Sequence, residues 1–560
     1  MLQKIVYEIA FLAILFFVGL ALSRLLVPIS ERLAVPFGVV DHPNNRKVHT
    51  RVIPRMGGLA IALALILTLL FCVQLDHGIV RAFLAGAALI VLLGLADDIV
   101  GLPPWVKFSG EILAALAFLQ VGGFSLESFG DLFGFGEVRT GFLAVPVTIF
   151  CMIGLMNALN LSDGLDGLAG GISFIACLFL AVLAYEARAW YWVSFPVALL
   201  GVLLGFLRFN QHPASLFMGD TGSLLLGYSV AAISVGLTRS LDGSLPVQPM
   251  NMAILLALPV VDTLFVMGRR LVNGKAPFSP DKSHFHHRLL RLGLNHAGVV
   301  SLYYLLMLCL ATIAWYSRAL PEWWRFYGGL AAFAFMYGGL SLLERRKVDL
   351  GRWFDSFRIF RKRSRRLPDR FTAALSSGGA LLCSLALFLP LPALLGRMPR
   401  TLGLFALTAA LFVALLFPWS GKRKRLPLGH GVLYLACFSL LLIYFFVPAR
   451  PAWVMPHLYG TAAFAFLSVL LLVAGSRRSL VLYPSGFEIL LLLLSWAVSL
   501  VVLPMLGVNG VILSGTVQAC FLALPLFCFG KLAMGRRPAA NIGVAVAFIL
   551  LLFFAGASSF

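Results

Sequence analysis

Residues 57–75 read GGLAIALALILTLLFCVQL, a stretch without one charged side chain. Wound as an α-helix with a rise of about 1.5 Å per residue, it crosses the roughly 30 Å of hydrocarbon in a bilayer. The same texture recurs at Ile9–Leu26, Val299–Trp315 and Phe487–Leu503, and about eighteen such segments follow one another along the chain. Backbone groups in lipid must find partners within their own segment, so these runs are helices. A β-barrel would instead show short alternating stretches. Composition agrees: 60% of the 560 residues are hydrophobic, 12% are charged and the mean hydropathy is +0.95, outside the range of soluble domains. The expected fold is all-α, a polytopic transmembrane bundle. The first run has no small-residue cleavage site after it, so a retained helix is expected rather than a signal peptide.

The net charge of +21 follows the membrane rather than a nucleic-acid groove. Lys and Arg gather in alternate loops: Arg46 to Arg55, Arg269 to Arg291, Arg345 to Arg370, Lys422 to Arg425, Arg477 with Arg478, and Lys531 to Arg537. By the positive-inside rule these loops are cytoplasmic, and an even number of spans between them places both termini outside. Three regions result: a membrane core over 1–345 with about eleven helices, a basic cytoplasmic linker over 346–370, and a C-terminal membrane extension over 371–560 with about seven more. In the linker, Trp353, Phe354, Phe357 and Phe360 interleave with arginines, a pattern suited to a solvated connector or to an amphipathic helix on anionic lipid. Residues 124–141 carry the glycine punctuation of a short hairpin. The eight cysteines, Cys72, Cys151, Cys177 and Cys520 among them, have no paired spacing and read as small apolar residues.

Chemistry is sought among the 23 carboxylates. Asp97 and Asp98 end the third run in LLGLADDIVGL (92–102), Asp163 and Asp166 follow the fifth in NALNLSDGLDGLAGG (157–171), and Asp220 precedes the eighth in LFMGDTGSLLLG (216–227). The charge pattern puts all three loops on the cytoplasmic side, so five distant carboxylates converge on one site. Acids at a membrane interface are costly without a cation, and a hard, oxygen-seeking ion such as Mg²⁺ acting on a phosphate is the simplest joint explanation. The neighbouring glycines let backbone N–H groups approach an anion at a helix start. A lone Asp98 or Asp220 would be read as a helix cap; three acidic motifs on one face leave capping insufficient. Cations stand nearby: Arg46, Lys47 and His49 in DHPNNRKVHTRVIPRMGG (41–58), Lys107 at the opening of the fourth helix, and His284, His286, His287 and Arg288 in SPDKSHFHHRLLRLG (279–293). No cysteine or further ligand motif accompanies the histidines, so hydrogen bonding to phosphate or sugar is expected there rather than zinc.

Taken in order, DHPNNRKVH with PRMGGLAI, LADDIVGL, NALNLSDGLDGLAGG, MGDTGSLLLG and SPDKSHFHHRLLRLG resemble the polyprenyl-phosphate N-acetylhexosamine-1-phosphate transferases, over residues 1 to about 345. The His284-Phe285-His286-His287-Arg288 form is similar to the branch that uses GlcNAc 1-phosphate to start O-antigen, enterobacterial common antigen and teichoic acid linkage units. The resemblance implies Mg²⁺, with Mn²⁺ as a substitute, held by Asp220 with Asn160. It also implies that Asp97, beside Asp98, positions or deprotonates the lipid phosphate, and that Asp163 and Asp166 lie at the uridine end. Lys107, His287 and Arg288 would hold phosphates or sugar, and Arg46, Lys47, His49, Asn157, Gly167, His284 and His286 count among the substrate-binding positions. The implied partners are a UDP-sugar, polyprenyl phosphate and the membrane; nucleic acid is not among them. The implied location is the bacterial inner membrane with a cytoplasmic site. The rival readings are a UDP-MurNAc-pentapeptide transferase, whose motif usually has three consecutive histidines, and a transporter or flippase of lipid-linked sugars. The extension is expected to bind lipid, a partner glycosyltransferase or a second copy of the chain.

Overall fold

The computed structural model describes residues 2–42, 52–74, 76–239, 246–274 and 283–350. Arg46, Lys47 and His49, the linker from residue 351 onward, and the extension over 371–560 with Cys520 lie outside the described residues. Ala10–Gly351 form one compact unit.

Among the described residues nine helices are long and apolar enough to cross a membrane. They are α1 (Leu2–Ala34), α3 (Gly78–Val100), α4 (Pro104–Gly122), α5 (Ala144–Leu161), α6 (Leu168–Glu186), α7 (Trp190–Asn210), α8 (Gly219–Leu237), α12 (His296–Tyr316) and α13 (Glu322–Arg345). The pair α9 (Pro249–Leu255) and α10 (Ala257–Val272) makes ten if it counts as one span, and α2 (Gly57–Cys72) is a shorter apolar helix, against the about eleven helices expected up to residue 345. A seven-residue helix, α11 (Phe285–Arg291), carries the histidine motif. The chain is therefore a multi-pass membrane protein.

The pair α9 and α10 departs from an unbroken span, bending by 71°. Pro259 has no N–H to give the Leu255 carbonyl, so the ladder fails at Leu256 between them. The all-α expectation needs one small addition, a two-residue antiparallel ladder of β1 (Val40–Asp41) and β2 (Ile53–Pro54). The hairpin expected at 124–141 is present: Ser128 pairs with Arg139, and Phe129 N–H donates to the Val138 carbonyl at 3.0 Å.

Nearly every residue of α8 is buried, and α2, α3, α5, α6 and α7 pack around it. Small residues allow this. A Cβ on Gly58 of α2 would lie 2.1 Å from the Gly222 nitrogen, and one on Gly94 of α3 would lie 2.4 Å from Thr221 Cα. Backbones thus meet directly, as in bundles where lipid gives helices no hydrophobic reason to associate. The outer surface is apolar in turn, with Leu92, Leu113, Phe150 and Phe335 exposed. Cys72, Cys151 and Cys177 are free thiols.

Candidate active site

Four helix ends meet at one end of α8. Asp97 and Asp98 stand in the last turn of α3, Lys107 in the opening turns of α4, Asp163 just beyond α5, and Asp220 in the first turn of α8. Lys107 Nζ lies 2.5 Å from Asp97 Oδ2 and 2.8 Å from Asp220 Oδ2, bridging carboxylates more than a hundred residues apart in sequence. The Leu102 N–H donates to Asp97 Oδ1 at 2.7 Å and fixes the carboxylate after the helix ends.

Asp98 has a different task. Its Oδ1 accepts the Asp220 N–H at 2.8 Å, and its Oδ2 accepts the Thr221 N–H at 3.0 Å and the Thr221 hydroxyl at 2.6 Å. It thereby caps α8 from another helix, with its side chain 2% exposed. The capping account considered for a lone Asp98 is therefore its actual contact, in trans. Gly219, at φ +73°, makes room: a Cβ there would stand 2.7 Å from both Asp98 oxygens. Arg55, which follows β2, brings a guanidinium to 3.7 Å from Asp98.

Asp163 is half-buried beside this group. Burial first, and then the negative charge of Asp220, push its carboxyl well above the usual carboxylate range, against the pull of Arg55. Asn160, in the last turn of α5, accepts the Asp163 N–H on its carbonyl at 3.1 Å. Asn157, one turn earlier, donates its amide to Glu111 Oε2 at 2.6 Å. Glu111 lies one turn beyond Lys107 on α4 and is 2% exposed.

Asp166 and Gly167 belong to a second group. Asp166 Oδ2 pairs with His212 Nδ1 at 2.7 Å and accepts the Ala214 N–H at 3.1 Å. Burial would raise this carboxyl, but those two partners and the nearby imidazoles hold it below its ordinary value. The Gly167 N–H donates to Asn210 Oδ1 at 3.0 Å, and the Tyr304 hydroxyl donates to the Gly167 carbonyl at 2.5 Å. At φ +79° this position suits glycine.

The histidine motif divides. His284 Nδ1 lies 3.0 Å from Asp262 Oδ2, while Asp262 Oδ1 accepts the Phe285 N–H at 2.8 Å and the Tyr337 hydroxyl at 2.9 Å. Arg288 donates through Nε and Nη2 to Glu344, at 2.7 Å for the shortest bond, and lies over the rings of Phe265 and Tyr337. These two residues anchor α11 to α10 and α13. His286 turns toward the acidic loop: a Cβ on Gly164, between Asp163 and Asp166, would lie 2.6 Å from its Nε2. Burial, and then the charge of His287, lower the His286 pKa to about 3, so its ring is neutral. The rings of His286 and His287 are 4.2 Å apart.

Asp97, Asp98, Asp163 and Asp220 are thus gathered with Lys107 at one end of the bundle, while Asp166, in the same loop as Asp163, is held apart by His212 and Ala214. Reading the sequence missed Arg55, Glu111, His212, His296, Asp262 and Glu344. Glu111 had a local signal, its i,i+4 spacing from Lys107; the others depend on segments meeting from distant parts of the chain.

Residues 80–238 match the family described as glycosyl transferase family 4. Over 296 residues the chain is 38% identical to a probable undecaprenyl-phosphate N-acetylglucosaminyl 1-phosphate transferase of Bacillus subtilis (strain 168), covering 53% of this chain and 82% of that protein. It is 31% identical over 303 residues to the undecaprenyl-phosphate alpha-N-acetylglucosaminyl 1-phosphate transferase of Yersinia pestis, covering 53% and 82%. It is 34% identical over 299 residues to the decaprenyl-phosphate N-acetylglucosaminephosphotransferase of Mycolicibacterium smegmatis, covering 49% and 74%.

Proposed function

The chain belongs to the polyprenyl-phosphate N-acetylhexosamine-1-phosphate transferases, and on that premise we propose that it moves GlcNAc 1-phosphate from UDP-GlcNAc to undecaprenyl phosphate. The reaction starts a cell-envelope polysaccharide at the cytoplasmic face of the inner membrane. The observation that carries this reading is Lys107 held between Asp97 and Asp220, with Asp98 and Asp163 alongside. Four acids there face Lys107 and Arg55, so the acids outnumber the cations.

Hard oxygen donors of this kind fit Mg²⁺ better than a softer metal. Asp220 with Asn160 would hold the ion, which when bound draws charge from the donor's diphosphate. The chain's own groups do the rest. Asp97 receives or orients the proton of the lipid phosphate, and Lys107 offsets charge between that phosphate and the diphosphate. A lipid phosphate oxygen bonds to the β-phosphorus, the bond from β-phosphorus to the bridging oxygen breaks, and UMP leaves with that oxygen. Asp98 holds the start of α8 so that Asp220 stays aimed. Asp163 and Asp166 lie at the nucleoside end, with His286 beside their loop. Such a transfer asks a protein mainly for alignment and charge compensation. Because the acids stand at helix ends rather than mid-span, they suit a headgroup reaction better than a flippase's midplane site.

The test incubates purified protein with Mg²⁺, undecaprenyl phosphate and radiolabelled UDP-GlcNAc, UDP-GalNAc or UDP-MurNAc-pentapeptide in turn. Labelled lipid and UMP from UDP-GlcNAc, lost on chelation and restored by Mg²⁺, are expected. Labelled lipid from another donor alone would overturn the sugar assignment, and activity indifferent to chelation would overturn the metal.

A further inference from the structure

Asp166, His212 and His296 come from three segments, and their donor atoms all lie within 4.8 Å of one another. A metal centre is the first idea such a cluster raises, but the ring geometry opposes it. The two imidazoles are stacked, with centroids 4.1 Å apart and planes 19° from parallel. A metal binds an imidazole nitrogen in the plane of its ring, and nearly parallel stacked planes have no shared point close to both nitrogens. The hydrogen bonds give a better account. His212 Nδ1 meets Asp166 Oδ2 at 2.7 Å, and the Asp166 N–H donates to His296 Nε2 at 3.1 Å. One imidazole therefore holds the Asp166 carboxylate, and the other holds its backbone. The Ala214 N–H shares Oδ2 with His212 at 3.1 Å, and no described residue bonds Oδ1.

We propose that His212 and His296 are positioning residues that fix Asp166 so that Oδ1 accepts an N–H or O–H of the nucleotide donor. Stacking joins the pair into one rigid support, which sets both where the carboxylate stands and which oxygen is free. Because His212 uses a donor and His296 an acceptor, each has a conservative replacement. Asn puts an amide N–H near the place of Nδ1, and Gln puts a carbonyl oxygen near the place of Nε2. The proposal rests on the function proposed above.

The test measures transfer kinetics of the purified full chain with UDP-GlcNAc and undecaprenyl phosphate varied separately, alongside thermal stability in detergent. For His212→Ala and His296→Ala the KM for UDP-GlcNAc is expected to rise about tenfold, the scale of one charge-assisted hydrogen bond. The KM for the lipid and kcat should stay within about twofold, and His212→Asn and His296→Gln should recover most of the loss. UMP binding should weaken in parallel; if CMP weakens less than UMP, the accepted hydrogen is the base N–H, and an equal loss points to a ribose hydroxyl. An unchanged KM for UDP-GlcNAc in the Ala variants, an equal fall in every parameter, or no recovery in the Asn and Gln variants would overturn the proposal. A wild-type chain without transfer activity would instead sink the function itself.

Discussion

Asp97, Asp98 and Asp220 carry the same functional group, yet the structure gives them unlike surroundings. Asp97 and Asp220 share Lys107, whereas Asp98 spends its oxygens on the start of α8. Replacing Asp97 or Asp220 by Asn should remove at least a hundredfold of turnover with little change in thermal stability, because charge compensation is the catalytic contribution. Asp98→Ala should lower stability by about 1–3 kcal/mol, since it leaves buried donors of α8 without acceptors. Activity assays and thermal unfolding of the three variants separate the two roles; equal stability losses would merge them. His286 supplies a pH test. Its folded value of about 3 lies below the ordinary 6.5, so the unfolded chain takes up a proton first as pH falls. The neutral ring's contribution is full above about pH 6.5 and is lost down toward pH 3, at up to about 1.4 kcal/mol per pH unit. His286→Gln should flatten the fall of melting temperature over that window, and a variant with the wild-type slope would remove His286 from the account. That these residue types mattered was legible in the motifs. The division of labour between Asp97 and Asp98 was not, because adjacent residues on a helix face different neighbours.

At the scale of elements, glycine contacts hold the site together. Gly58 meets Gly222 and Gly94 meets Thr221, so α2 and α3 lie against the first turns of α8, where Asp220 stands. Gly58→Ala places a methyl against backbone, which cannot turn aside, and should destabilise by about 2–3 kcal/mol or separate the helices. Gly154→Ala on α5 meets nothing within 4 Å and serves as the control; thermal unfolding of both variants decides. Runs of apolar residues marked these helices, but the glycines of MGDTG read as room for an anion, and only the structure shows Gly58 and Gly222 as a helix contact. The break between α9 and α10 at Leu256 follows from Pro259, a local signal that a hydropathy run passes over, whereas the docking of α11 through Asp262 and Glu344 arises from partners that no local pattern announces.

At the scale of the molecule, every described site residue lies within Ala10–Gly351, and the relatives match about half of the chain. A chain ending after residue 351 should therefore retain transfer activity within about threefold, while any binding due to the extension is lost. Transfer assays and sizing of the two lengths in detergent check this, and loss of catalysis in the shorter chain would assign the extension a part in the reaction. Membrane character and the identity of the acidic motifs were written in the amino-acid order, because lipid admits only helices for long apolar runs and tolerates acids only where something needs them. Which oxygen meets which donor was settled by packing. Lys107 between two aspartates, Asp98 capping a foreign helix, and Asp166 held by a stacked histidine pair each require segments distant in sequence to be brought within hydrogen-bonding reach, a distance that spacing along the chain does not encode.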